Sequence, residues 1–196
     1  MKLLGIAGTV IGAKTSIVVQ SVLDEVKKAA PEIEVELLDL REHRMSLCDG
    51  RDPATYTDDT KKVIDTVSSA DFYLFGTPAD FYLFGTPIFQ GSMTGALKNL
   101  FDHIQPQVLR HKVMGFVANG GTYQHYLVIE NQLKPIAGFF RAYVAPGSVY
   151  VHADHFNSQN EIVDEDVLRR ISELAQELVH MQKALNPAGE TSSHNR

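Results

Sequence analysis

Three glycine-containing loops carry the residues of this sequence best suited to hold a small polar ligand. The first, GTVIGAKTS at residues 8–16, combines the hydroxyls of Thr9, Thr15 and Ser16 with the ammonium of Lys14 at the start of a helical pattern. Backbone N–H groups at a helix N-terminus, joined by such donors, suit a phosphate. A nucleotide-triphosphate loop needs G-x-x-x-x-G-K-[ST]; here Gly8 and Gly12 are too close, and Ala13 separates Gly12 from Lys14. The dinucleotide pattern G-x-G-x-x-G is absent as well. A plain helix cap, with Thr or Ser satisfying free N–H groups, is the competing reading.

The second loop begins at Gly85. Thr86-Pro87 fixes a turn, Ile88 and Phe89 offer apolar surface for a flat ring, and Gln90, Gly91 and Ser92 offer hydrogen bonds. An ordinary strand-to-helix connection would look similar. In the third loop, residues 118–125, Gly120-Gly121 permits close backbone approach to a ligand edge, while Asn119 and Thr122 add polar contacts. Each loop follows a strand pattern, and ligands of α/β sheets bind at the carboxyl ends of strands. That common placement strengthens all three readings.

The elements that must position these loops alternate along the chain. Lys2–Ala7 is an apolar run. Thr15–Ala29 has Ile17, Val18, Val22 and Val26 at helical spacing and is stopped by Pro31. Ile33–Leu40 alternates apolar and acidic residues, as a strand nearer a sheet edge would. Residues 41–56 read as a polar loop, and Thr57–Ser69 as a helix. Met93–Ile104 carries an apolar stripe at i, i+3, i+4, i+7. Lys112–Ala118 is a buried strand. A helix near Gln124–Phe139 contains Pro135, which should kink it or end its first part. Ala142–Val151 is a fifth strand with Pro146-Gly147 as a candidate break. Glu165–Ala184 is the last helix, and residues 186–196 form a polar tail expected to be disordered. Five β-α units imply an α/β fold with a parallel sheet covered by helices on both faces, one domain over residues 1–185.

Composition narrows the function classes. A formal net charge of −6 with no Lys/Arg run argues against a nucleic-acid or anionic-membrane partner. The single cysteine, Cys48, excludes a disulfide framework and a CxxC site, so a reducing, cytoplasmic setting is expected. No stretch approaches the ~18–20 apolar residues of a membrane span. The apolar start of the chain, broken by Gly5, Gly8 and Gly12, reads as strand and loop rather than signal peptide. His152 and His155 lack a Cys or carboxylate at metal-ligand spacing and read as surface histidines, so no metal site is expected.

The motifs together resemble those of the flavodoxin-like NAD(P)H-dependent FMN reductases, in particular those that supply reduced flavin to two-component monooxygenases. The family's phosphate loop, G-S-x-x-x-x-S/N-T-T/S, is matched in length by GTVIGAKTS, with Thr9 for the serine and Thr15-Ser16 at its end. Its flavin loop, T-P-[IV]-[YF]-x-[GA]-S-x-x-G-x-L-K, is matched from Thr86 to Lys98. Gly120, Gly121, Thr122, His125, Leu133, Lys134 and Pro135 meet its third motif. The resemblance spans about residues 1–183. It implies a doubly wound five-stranded sheet of order 2-1-3-4-5, non-covalent FMN, NAD(P)H as hydride donor, and a homodimer or homotetramer. By position, Thr9, Lys14, Thr15 and Ser16 would hold the phosphate. Thr86, Pro87, Ile88, Phe89, Gln90 and Ser92 would line the ring, and Asn119, Gly120, Gly121 and Thr122 would meet its pyrimidine edge. No acid, base or nucleophile is required of the chain, because the chemistry belongs to the cofactor. The same architecture hosts azo- and quinone reductases that retain FMN, and flavodoxin-type electron carriers.

One feature has no counterpart in that family. Residues 70–87 read ADFYLFGTP twice in succession. Only one copy can occupy a central strand. The second, Asp80–Thr86, is expected there because it alone runs on into Ile88-Phe89-Gln90 and preserves the flavin loop; if the site were destroyed instead, a flavin-free protein would result. The first copy is expected to pack its Phe, Tyr and Leu side chains at a subunit interface or back over the domain, since their exposure would invite aggregation.

Overall fold

The computed structural model describes residues 1–68 and 79–185. The first repeat copy and the polar tail lie outside the described residues, and so do the expectations about them. In chain order the elements are β1 (Lys2–Ala7), α1 (Lys14–Ala29), β2 (Glu34–Asp39), α2 (Thr60–Ser68), β3 (Phe81–Pro87), α3 (Gly95–His103), α4 (Pro106–Leu109), β4 (Val113–Gly120), α5 (Lys134–Phe139), β5 (Tyr143–Val144), β6 (Val149–His152) and α6 (Glu165–Leu185).

The strands pair in the order β2-β1-β3-β4-β5, all parallel, with β6 also on β4. This is the flavodoxin-like order. The fifth strand is split: β5 pairs with Val113-Met114 and β6 with residues from Val117 to Gly120. Pro146-Gly147 lies in the gap, where proline cannot donate to a ladder.

Side chains alternate across a strand, so each strand feeds two cores. Leu3, Phe81, Leu83, Val113 and Val117 pack beneath α1 and α6. Leu4, Ile6, Tyr82, Phe84, Met114 and Phe116 pack against α2, α3 and α5. Every residue of β3 is buried, and each large apolar side chain so placed is worth roughly 1.5–3 kcal/mol. The second copy of the repeat is thus the central strand, with Phe81 opposite both Leu3 and Val113. Gly85 lets α1 approach this strand closely, for a Cβ there would lie 2.4 Å from a methyl of Val19.

Two helices differ from the sequence reading. α2 begins at Thr60 rather than Thr57, because the Asp58 carboxylate accepts from the Thr60 N–H at 3.0 Å and stops the helix there. The pattern over residues 124–139 resolves into a 3-10 turn (Tyr123–His125), a π-helical turn (Ile129–Leu133) and α5, with Pro135 in the first turn of α5 where its missing N–H is tolerated.

Candidate functional site

The three glycine-containing loops meet at the carboxyl ends of β1, β3 and β4 and are bonded to one another. Gly8 N–H donates to Gly85 O at 2.7 Å. The Thr94 hydroxyl, which caps α3 through Leu97 N–H, donates to Gly8 O. Thr15 Oγ1 donates to Asn119 Oδ1 at 2.7 Å, and Ile88 N–H donates to Asn119 O at 2.8 Å. Asn119 therefore receives from both other loops. These bonds join the three loops that the sequence places at the ends of strands.

In the first loop, Thr9 is fully buried and its hydroxyl donates to Ile11 O at 2.7 Å, which shapes the turn. Val10 and Ile11 stand out at its tip. The N-cap position of α1 is Ala13, with no side-chain cap and no acidic residue in the first turn. The N–H groups of Lys14, Thr15 and Ser16 have no partner among the described residues. A helix N-terminus left open in this way concentrates positive potential. The plain-cap reading of Thr15 and Ser16 is not what is found: Thr15 bonds to Asn119, and Ser16 Oγ donates to Asp39 Oδ2 at 2.5 Å. The Lys14 ammonium lies over the Phe156 ring, 4.7 Å from its centroid. Arg41, assigned by sequence only to a polar loop, reaches Gly12 O at 2.8 Å and Ser16 Oγ at 3.0 Å.

The second loop is a tight reversal. Phe89 and Ser92 exchange backbone bonds of 3.0 Å around Gln90 (φ 51°) and Gly91 (φ 75°). Two successive positive φ values are what a two-residue hairpin turn requires. Thr86 is buried and accepts from Thr94 N–H at 3.2 Å. Ile88 is buried, whereas the Phe89 ring is half exposed above the turn. Gln132, from the π-helical turn, accepts from Ser92 Oγ at 2.7 Å and donates to Gly91 O at 3.2 Å. It was not legible as a site residue, because its partner lies 40 residues away in sequence.

The third loop is clasped from β6. Tyr150 Oη donates to Thr122 O at 2.5 Å, and His152 Nε2 lies 2.9 Å from Gly121 O. The Tyr123 ring stacks on His152 at 4.2 Å, with its hydroxyl 3.0 Å from His155 Nε2. His152 and His155 are therefore not surface histidines. His152 is buried, and the two form a reciprocal capping box at the 3-10 turn Ala153–His155. No group of potential metal ligands occurs among the described residues. His125 sits half-buried in the turn after this loop. A cavity of about 570 Å³ is lined by Tyr123, Tyr126, Ile129, Tyr150, His155 and Arg170.

The chain is similar to several known proteins. A family model described as NADPH-dependent FMN reductase matches residues 1–79 and 79–156. The two matched pieces meet at the boundary between the repeat copies, so each contains one. A curated relative from Geobacillus thermodenitrificans, an NAD(P)H-dependent FAD/FMN reductase, is 62% identical over 189 residues, covering 96% of this chain and 97% of its own length. An FMN reductase (NADPH) from Pseudomonas aeruginosa is 30% identical over 168 residues, covering 84% of this chain and 82% of its own. Among solved structures, an oxidoreductase from Corynebacterium diphtheriae matches with TM-score 0.72 at 21% identity, covering 94% of this chain and 98% of that one. The apo form of an NADH:FMN oxidoreductase matches with TM-score 0.67 at 21% identity, covering 100% and 96%. At such identity the shared property is the fold. No described helix is long and apolar enough to cross a membrane.

Proposed function

The chain belongs to the NADPH-dependent FMN reductase family, and from that premise we propose that it reduces FMN with NAD(P)H at the junction of the three loops. The observation that carries this reading is the open N-terminus of α1, with unpartnered N–H groups and the Arg41 guanidinium beside it, bonded through Thr15 and Asn119 to two further loops. The donor set fits the three parts of FMN. Main-chain N–H groups and a cation suit the phosphate. Ile88 and the exposed Phe89 suit an apolar ring. Polar atoms from Asn119 to Thr122 suit the pyrimidine edge, with open space at Gly121 for close approach.

A bound flavin would supply the redox chemistry, that of a hydride acceptor from NAD(P)H. The protein's residues position and shield. Thr9 and Thr15 fix the phosphate loop, Gln132 and Thr94 fix the ring loop, and Tyr150 with His152 fixes the third. Residues 1–185 form one domain in this reading. The same family relationship supports assembly as a homodimer or homotetramer, delivery of reduced flavin to a flavin-dependent monooxygenase, and a cytoplasmic setting.

The test is oxidation of NADH and NADPH with and without added FMN, combined with gel filtration. FMN-dependent loss of nicotinamide absorbance is the expected result. Absence of both turnover and flavin binding would refute the proposal. Flavin that co-elutes with the protein and passes electrons to azo dyes or quinones would assign the retained-cofactor chemistry instead.

A further inference from the structure

The parallel pairing of β2 with β1 brings the end of β2 alongside the phosphate loop, and with it a second cation besides the loop's own Lys14, whose ammonium lies over the Phe156 ring. Arg41 donates through Nε to both oxygens of Asp39, and through Nη2 to Asp39 and to Ser16 Oγ. Nη1 donates to Gly12 O at 2.8 Å. Four of the five N–H groups of a guanidinium are thereby engaged. The second N–H of Nη1 has no partner among the described residues, and the side chain is 30% exposed.

The hydroxyls nearby are already committed. A phosphate oxygen can only accept, so a hydroxyl must offer it a proton. The Ser16 proton goes to Asp39 at 2.5 Å and the Thr15 proton to Asn119 at 2.7 Å. What remains at the mouth of α1 is the set of main-chain N–H groups and the guanidinium, the Lys14 ammonium being placed over the Phe156 ring. Asp39 sharpens the need for that cation. It is buried, and although burial pushes its carboxyl upward, hydrogen bonds from Arg41 and Ser16 outweigh this and hold it below the usual carboxylate range. An ionised carboxylate beside a phosphate repels it, and Arg41 is the charge that cancels the repulsion.

We propose that Arg41, seated on Asp39, is the specificity-determining residue for the phosphate end of the flavin and sets the preference for FMN over riboflavin. This rests on the flavin reading of the site. In FMN and riboflavin the ring is identical and only the phosphate differs, so the ratio of their affinities isolates the contact.

Dissociation constants for both flavins are measured by fluorescence quenching on the parent chain, on Arg41→Lys and on the double variant Arg41→Met/Asp39→Asn. The double variant avoids stranding a buried carboxylate without its partner. Its FMN affinity should fall on the order of tenfold, through loss of the guanidinium's charge-assisted donor, with riboflavin affinity nearly unchanged. Arg41→Lys keeps the charge but loses the fork, and should fall between. Parallel loss for both flavins would show a structural role only, and unchanged FMN affinity would show none; either overturns the proposal. Should the double variant fail to fold by circular dichroism, the same ratio on Arg41→Lys decides. A parent chain that binds FMN and riboflavin equally overturns the role of Arg41 alone, whereas one that binds neither refutes the flavin reading itself.

Discussion

Gly120→Ala probes the clasp on the third loop. A Cβ at residue 120 would lie 2.3 Å from Tyr150 Oη, 3.3 Å from Tyr150 Cζ and 3.7 Å from Ile88 Cβ. The tyrosine must therefore move by roughly 1 Å to restore van der Waals separation. It cannot do so and keep its bond to Thr122 O, at 2.5 Å. Overpacking of this kind costs about 1–3 kcal/mol, and the lost bond about 0.5–1.5 kcal/mol. For a chain of this size each kcal/mol lowers the unfolding midpoint by about 2–4 °C. The partner variant Tyr150→Phe removes the offending oxygen and leaves Cζ as the nearest atom, a tight but adjustable contact. Alone it should cost only the hydrogen bond. Combined with Gly120→Ala it should relieve the clash, so the double variant is more stable than the sum of the singles by about 1–3 kcal/mol. Urea unfolding of the four chains gives the cycle, and FMN affinity should be weakened in Gly120→Ala and largely recovered in the double. Additive stabilities, or a Gly120→Ala chain as stable as the parent, would refute the clash and the clasp together.

Three further outcomes are expected. Gln182 is 1% exposed on α6 and neither its amide oxygen nor its nitrogen has a partner among the described residues; Gln182→Met should raise stability by about 1–3 kcal/mol, and a lowered midpoint in urea unfolding would show the amide to be satisfied. Asp58, held down to about 2 by hydrogen bonds from Thr60 and Ser46, has a folded value below its unfolded one, so its contribution is present above about pH 4 and is lost as pH falls toward 2. Asp58→Asn should flatten the acid limb of stability against pH in that window, and an unchanged limb would remove the assignment. Deleting either nine-residue copy yields one and the same chain; its unfolding midpoint should be kept while oligomer size or FMN affinity shifts, and no change in either would show the insertion to be passive.

Much of the fold was legible because its signals are local. The buried runs of β1, β3 and β4 and the stripe of α3 stand in the sequence as uninterrupted patterns, and Pro146-Gly147 marked the break in the fifth strand. Sheet order was not, since periodicity says which face is buried but not which strand is beside which; it came from the resemblance. The three loops were found because each ends a strand in glycine and polar residues. Arg41 was missed because it reaches Gly12 and Ser16 only when β2 lies next to β1. His152 and His155 were misread for a related reason: nothing in VHADH shows that Tyr123 stacks on one and bonds to the other. The π-helical turn was hidden because Val128, Ile129 and Leu133 keep a helical apolar spacing whether or not one residue is looped out.

The repeat poses a selection that the strand itself cannot make. Both copies carry Asp-Phe-Tyr-Leu-Phe-Gly-Thr-Pro, so every cross-strand contact of β3, including the bond from Lys2 N–H to the Asp80 carboxylate, is available to either. Loop-closure entropy is nearly indifferent, since nine residues shift it by only on the order of 1 kcal/mol. The two copies differ in the residues that come after the proline. Beyond Pro87 lie Ile88, whose N–H bonds to Asn119 O and whose side chain is buried, the Phe89–Ser92 turn held by Gln132, and Thr94, which caps α3 and bonds to Gly8 O. Beyond Pro78 lie Ala79 and Asp80, which offer neither the apolar side chain nor the turn. The contacts that build the three-loop junction are thus the ones that choose the strand. A flavin bound to that site would add its binding energy to the same choice, because it stabilises only the arrangement in which the second copy lies in the sheet.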